Sequence, residues 1–391
     1  MVKWAYWAGA GVILAALAAQ VARPVSRPTL RTTLKMPKLG TKLQMDWPSG
    51  PESYLALSPG GTVGTSGPNQ AIPVGSVTKM MTAYLILQKH PLAIGSQGPS
   101  VSVTPHDVTE YRHDLSGNQS VAKVYAGEKL SEEKILKGLL VASGNNIAHI
   151  AADWVSGSSA AFTRLMNQEA KKLGMHHTHF VGPSGLNPGN VSNPRDETLL
   201  AEKAMQIPIF REIVRMPQVS WGRSHRTIDN FNYVVGHDGI TGVKTGSTVM
   251  AGGCFVFSAP RTVGSHVVTI YGSVLGQAGT AQLPQLQYAL NDGESLINQL
   301  SAQLKSVYLI HAGQKVASIQ APWTHQVSLK AEKTVSAVLW PTERVKETVH
   351  WQGNNRGRLV IQAGAENWSV PLKLSSPLPK PSLSYRLTRG L

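Results

Sequence analysis

Pro73-Val74-Gly75-Ser76-Val77-Thr78-Lys79-Met80-Met81-Thr82-Ala83-Tyr84-Leu85-Ile86-Leu87 sets a serine and a lysine three residues apart at the mouth of a run that is apolar nearly all round. Such a run predicts a helix buried on every side. At i and i+3 the hydroxyl and the amine share one face of its first turn. A serine is a poor nucleophile until a base lies within hydrogen-bond reach, and a lysine serves as that base only if burial or another cation lowers its pKa. The buried helix supplies the first condition. The pattern alone is weak, since about one or two such pairs are expected by chance in a chain of this length. A second pair, Ser131-Glu132-Glu133-Lys134, reads as a helix N-cap with acidic residues at the positive helix end.

Two further elements give the first its context. Ser-x-Asn occurs as Ser116-Gly117-Asn118, in a polar stretch that reads as a turn, and as Ser143-Gly144-Asn145. The latter follows the apolar face Ile135, Leu139, Leu140 and precedes the apolar run from Ile147 to Ala152, so its side chains emerge between core helices. That placement suits a proton relay from Ser143 and an amide at Asn145 that holds substrate. Lys244-Thr245-Gly246 occurs once, at the end of a predicted strand, where ~0.1 chance matches are expected. It offers a cation, a hydroxyl and bare backbone to an extended peptide.

Working outward, 391 residues exceed what one hydrophobic core usually serves, which favours two domains. With 42% apolar and 15% charged residues, and with 37 Gly and 24 Pro, the chain is globular and turn-rich, neither disordered nor a coiled coil. The formal charge of +15 favours anionic partners. No glycine-rich phosphate loop and no nucleic-acid motif occurs. The single cysteine, Cys254, excludes an intrachain disulfide and any multi-cysteine metal site, and it lies in the strand-like run Gly253-Cys254-Phe255-Val256-Phe257. His176-His177-Thr178-His179 lacks metal-ligand spacing and reads as a polar loop, so neither a metal nor a cofactor is expected.

The domain reading is as follows. Residues 1–22, uncharged from Trp4 to Ala19 and small at Ala16-Leu17-Ala18, form a signal peptide or an N-terminal membrane anchor; 23–50, rich in Pro and basic residues, form a tether. A catalytic domain covers 51–285, with strands, then helices, then strands: an α+β architecture of an antiparallel sheet flanked by helices. Residues 286–305 are a connecting helix. Short alternating runs from 306 to 391 form a small all-β domain.

S-x-x-K, S-x-N and K-T-G in this order are shared by penicillin-binding proteins and serine β-lactamases. With the flanks Ser143-Gly144-Asn145-Asn146 and Asp238-Gly239-Ile240-Thr241-Gly242-Val243-Lys244-Thr245-Gly246-Ser247-Thr248, and with Gly174-Met175, His179-Phe180 and Pro183-Ser184-Gly185-Leu186 between them, the chain resembles the low-molecular-mass penicillin-binding proteins, the serine-type D-alanyl-D-alanine carboxypeptidases. The likeness is strong over about residues 50 to 280. It implies the β-lactamase/transpeptidase-like fold and removal of the terminal D-alanine from peptidoglycan stem pentapeptides. It also implies covalent inhibition by β-lactams and an exported protein on the outer face of the cytoplasmic membrane or in the cell wall, near anionic wall or membrane surfaces and away from nucleic acid. By the same resemblance Ser76 is the nucleophile, Lys79 its base and Ser143 the relay. Asn145, Lys244, Thr245, Gly246 and Ser247 bind substrate, and the N–H groups of Ser76 and Ser247 form the oxyanion hole. Two departures stand out: Gly276-Gln277-Ala278-Gly279 lacks the arginine some members have there, and the prolines Pro377, Pro379 and Pro381 do not suit the C-terminal amphipathic helix of others. Anchoring is therefore expected at the N-terminus. The alternatives are a D,D-endopeptidase, a β-lactamase and an inactive peptidoglycan-binding protein. For the β-lactamase, Glu197-Thr198-Leu199-Leu200 lacks the asparagine of E-x-x-L-N.

Overall fold

The computed structural model describes residues 2–223, 225–353 and 355–389. The chain forms two compact units, one of Gly40–Lys305 with Trp340–Thr342, the other of Met1–Leu39, Ser306–Leu339 and Glu343–Leu391.

The larger unit is built on a five-stranded antiparallel sheet, in the order Gly242–Thr248, Gly252–Val263, His266–Gln277, Glu52–Ser58, Gly61–Ser66. Cys254, Phe255, Val256 and Phe257 are all fully buried, because helices cover both faces of the central strands. The Gln282–Ser301 helix lies on the face of Phe255 and Phe257. The Pro194–Ala204 helix lies on the other, where Thr198 Oγ1 is 3.1 Å from Ser273 Oγ. Burial pushes the Cys254 thiol up to about 12, an inert core group.

Helix Lys79–Lys89 is the axis of a second, helical layer. Every residue from Lys79 to Leu87 is buried, against helices Glu132–Leu140, Asn145–Ser156, Ser159–Leu173 and Pro194–Ala204. Met80, Met81, Leu85, Ile86 and Leu87 each contribute about 1.5–3 kcal/mol by leaving water, which holds the helix start in one place. Helix Pro105–Ser116, opened by a Thr104–Asp107 capping box, is an element that periodicity does not reveal, as its sequence is mostly polar and only Asp114 is buried.

The smaller unit holds a six-stranded antiparallel sheet, in the order Thr29–Thr32, Lys315–Gln320, Val327–Ala331, Glu366–Leu374, Arg356–Ala363, Val345–Gly353. Alternation is clear on Arg356–Ala363, where Gly357, Leu359, Ile361 and Ala363 point into one core with Leu309, Ile310, Val335 and Leu339 of the Lys305–Ile310 and Val335–Leu339 pair.

Two expectations are corrected. Residues 23–50 are not wholly a tether: Thr29–Thr32 is an edge strand paired with Lys315–Gln320, and Leu34 is buried beside it. Its partner lies almost 300 positions away, so no local pattern betrays the pairing. The helix expected as a connector at 286–305 spans Gln282–Ser301 and belongs to the core, with Leu286, Leu290, Leu296, Ile297 and Leu300 buried on one stripe. The N-terminal segment is a helix, Val2–Ala22; no helix among the described residues is long and apolar enough to cross a membrane. Its last turn is tied to the Leu383–Thr388 helix, with Arg386 Nη1 donating to Val21 O at 3.0 Å and Gln20 Nε2 to Arg389 O at 2.8 Å. Cations at a helix C-terminus are favourably placed.

Candidate active site

Ser76 lies in a tight 3₁₀ turn, Gly75–Thr78, that leads directly into helix Lys79–Lys89. In a 3₁₀ turn residues i and i+3 eclipse one another, and Lys79 Nζ stands 2.8 Å from Ser76 Oγ. Ser76 itself is half-buried and borders a cleft of about 290 Å³, whereas Lys79 is fully buried behind it.

The ammonium position has two other neighbours, Asn145 Oδ1 and Ser184 O, both at 2.7 Å. Both are carbonyl oxygens and can only accept. A neutral amine has two N–H donors and one lone pair. With two carbonyls taking the donors, the lone pair is left for the one partner with a proton to give, the Ser76 hydroxyl. The packing around Lys79 thereby sets the direction of proton transfer. Burial holds the Lys79 amine well below the usual lysine range, the charge of Lys244 adds to this, and Asp114 opposes it.

Ser143 and Asn145 sit at the turn between helices Glu132–Leu140 and Asn145–Ser156, whose apolar faces are fully buried. Ser143 has a left-handed φ of 54°, a conformation that costs a non-glycine residue energy and recurs at functional sites. Its Oγ accepts from Lys244 Nζ at 3.1 Å; Lys244 also donates to Thr245 O at 3.0 Å. Burial pulls the Lys244 amine down to about 7.

Strand Gly242–Thr248 runs past the nucleophile turn. At Gly246 a Cβ would come within 2.7 Å of Val74 O and 3.0 Å of Ser76 N, so only a glycine lets the strand lie this close. Thr245, Gly246 and Ser247 line the cleft with Ser76 and Ser143, while the Ser247 hydroxyl donates to Gln282 O at 2.8 Å. Gly185, with φ +83°, is pressed still harder: a Cβ there would meet Gly75 O. This presses the Pro183-Ser184-Gly185 segment under the helix, where Thr82 Oγ1 donates to Pro183 O at 2.7 Å. All eight residues singled out from the sequence thus meet around one cleft.

The loop 117–120, read from sequence as a plain turn, forms one wall of that cleft. Gln119 Oε1 accepts from Asn145 Nδ2 at 2.9 Å, and so holds the amide with its oxygen toward Lys79. Asn146 pins the loop, donating to Ala122 O at 2.8 Å and accepting from Ala122 N at 3.0 Å. No sequence signal marks these contacts, since Gln119 reaches its partner across 26 positions. Glu197 is fully buried and is not among the residues lining the cleft; burial pushes its carboxyl up to about 8.

Residues 60–275 match the sequence profile described as D-alanyl-D-alanine carboxypeptidase. The chain belongs to this family. As a member it is a serine-type D-Ala-D-Ala carboxypeptidase, a hydrolase with the transpeptidase fold. It is 32% identical over 230 residues to a D-alanyl-D-alanine carboxypeptidase of Streptomyces sp., covering 55% of this chain and 77% of that one. It is 31% identical over 226 residues to a D-alanyl-D-alanine endopeptidase of Pseudomonas aeruginosa, covering 56% and 70%. Among solved structures, the carboxypeptidase DacD of Francisella tularensis aligns with a TM-score of 0.63 at 21% identity over 86% of this chain and 95% of that one, a likeness of fold. A Streptomyces DD-transpeptidase aligns with a TM-score of 0.56 at 27% identity over 66% and 98%.

The carboxypeptidase's second lysine makes a pH prediction. Pulled down to about 7, the Lys244 amine carries its charge below that pH and loses it above, and a role for this charge in drawing the substrate carboxylate can be tested through it. The log of kcat/KM for a pentapeptide is expected to fall as pH rises through this range. Lys244→Arg keeps its charge, so its descending limb should move beyond pH 9. A limb that stays near 7 in the variant would assign the titration to another group.

Proposed function

We propose that Ser76 is the acylated residue, and that the carboxypeptidase removes the terminal D-alanine from peptidoglycan stem pentapeptides. The observation behind this reading is the surrounding of Lys79 Nζ, which leaves a neutral amine only the Ser76 proton to accept.

In this mechanism the substrate's terminal carboxylate is drawn to Lys244 and Thr245, and Asn145 holds the backbone amide. Ser76 Oγ attacks the carbonyl carbon as its proton passes to Lys79 Nζ. The oxyanion is held by the N–H groups of Ser76 and Ser247. Ser143 then gives its proton to the departing D-alanine nitrogen and is resupplied from the cationic Lys79. The C–N bond breaks, leaving an ester on Ser76 and an amine that carries the transferred proton. Water hydrolyses the ester, with Lys79 again the base. A β-lactam enters the same sequence but keeps its leaving group tethered, so its acyl-enzyme persists. The buried Glu197 offers no carboxylate in the cleft to speed its release.

The place of action is the outer face of the cytoplasmic membrane or the wall, reached by export.

The test is product analysis. A pentapeptide should yield free D-alanine and tetrapeptide, while penicillin forms an adduct lasting minutes or more. Rapid turnover of penicillin without D-alanine release would overturn the reading. Preference for cross-linked dimers would favour the endopeptidase activity for which the Pseudomonas relative is named.

A further inference from the structure

The charge of the chain is unevenly divided. The smaller unit holds 17 lysines and arginines against 4 acidic residues, which is +13 of the total +15. The larger unit, with twice the residues, is close to neutral.

On the six-stranded sheet this charge is ordered. Lys315 stands directly opposite Lys330, Lys330 opposite Lys373, and Lys373 opposite Arg356. Directly paired residues of an antiparallel sheet share a face, so the four cations form one row across four neighbouring strands. All four are exposed, and none makes an ion pair among the described residues. At ~4.8 Å per strand the row is about 14 Å long. Arg358 and His350, paired with each other, extend the same outward face one step along the strands.

Like charges set directly opposite one another destabilise a sheet. Sheets usually relieve this with interleaved acids; here one exposed acid, Glu332, follows Lys330 at the end of its strand with its N–H on Pro371 O, while Glu347 pairs with Ile361 and Glu366 with Ala363 on the opposite face. The aromatic side chains follow suit, with Trp351 opposite Gly357 and Trp368 opposite Ile361. The outward face of the three strands from Val345 to Leu374 therefore has cations, no acids and no Trp, Tyr or Phe.

We propose that this face is a binding site for a linear polyanion with phosphate groups along an extended backbone, lying across the strands on the Lys315–Lys330–Lys373–Arg356 row. Charge complementarity along a line selects the shape of the ligand, because a flat anionic surface would be met by a broad patch rather than by a row. The lack of aromatic side chains disfavours single-stranded nucleic acid, which is held by stacked bases. The row thus has a function that offsets its cost to the sheet.

The test uses the full chain and labelled long-chain inorganic polyphosphate, with binding followed by fluorescence anisotropy over a range of salt. Saturable binding is expected, weakening about sevenfold for each doubling of salt if four contacts each release ~0.7 counterion. Lys330→Gln/Lys373→Gln should lower affinity about tenfold or more and halve the salt slope. Lys38→Gln/Lys305→Gln removes the same charge away from the row and should leave both nearly unchanged. The row variant should melt at the same or a higher temperature, since it relieves repulsion. Equal losses from both double variants would overturn the proposal in favour of unspecific charge. Failure to bind polyphosphate at low salt would overturn it outright, and row-dependent binding to phosphatidylglycerol vesicles instead would assign the face to a lipid surface.

Discussion

Ser76→Ala is expected to abolish covalent labelling by a fluorescent penicillin and to lower D-alanine release about 10⁴-fold or more. The substitution removes the one hydroxyl bonded to Lys79 Nζ and leaves the two carbonyl partners in place. Since Ser76 lies at the cleft rather than in the core, the melting temperature should hardly move. The competing pair, Ser131 and Lys134, is differently built. Ser131 caps its helix, accepting from Lys134 N at 3.3 Å, and Lys134 Nζ is turned to Glu128 at 3.0 Å instead of to the serine hydroxyl. Label recovered on a peptide with Ser131 would refute the assignment.

Lys79→Arg should slow acylation by about 10²–10⁴-fold, the usual contribution of a positioned general base. A guanidinium cannot become neutral near physiological pH, and here it would be a charge buried among the neighbours that exclude water from Lys79, so the protein should also lose stability. Lys79→Met separates the two effects. It fills similar volume with no charge to desolvate and should fold at least as well, yet it has no lone pair for the Ser76 proton. A folded Lys79→Met protein that is acylated within tenfold of the normal rate would rule out Lys79 as the base.

Much of the fold is legible locally. Helix Ser159–Leu173 shows its capping Ser158 and apolar face, and the run from Cys254 to Phe257 shows a strand covered on both sides. The short alternating runs after residue 306 announce strands through their period of two. What stays hidden is non-local. Thr29–Thr32 has too few residues to show a period and is a strand only because Lys315–Gln320 offers an open edge. Helix Pro105–Ser116 hides because it buries almost nothing. The cationic row is invisible for the same reason: Lys315, Lys330, Arg356 and Lys373 are scattered singly, and only the register aligns them.

By itself the sequence determined which chemical groups are available and in what local frame: Ser76 and Lys79 on one turn, Ser143 and Asn145 at the mouth of a buried helix, and Lys244, Thr245 and Gly246 on a strand that tolerates close approach. Spacings of two and three residues follow from backbone geometry alone. Tertiary structure decided what those groups do. Only packing brings Asn145 and Ser184, 66 and 105 positions from Lys79, onto one nitrogen and turns Gln119 toward Asn145. The lowered pKa of both lysines was likewise unreadable in the sequence, because desolvation depends on every neighbour that excludes water, and Lys79 feels in addition the nearby Lys244.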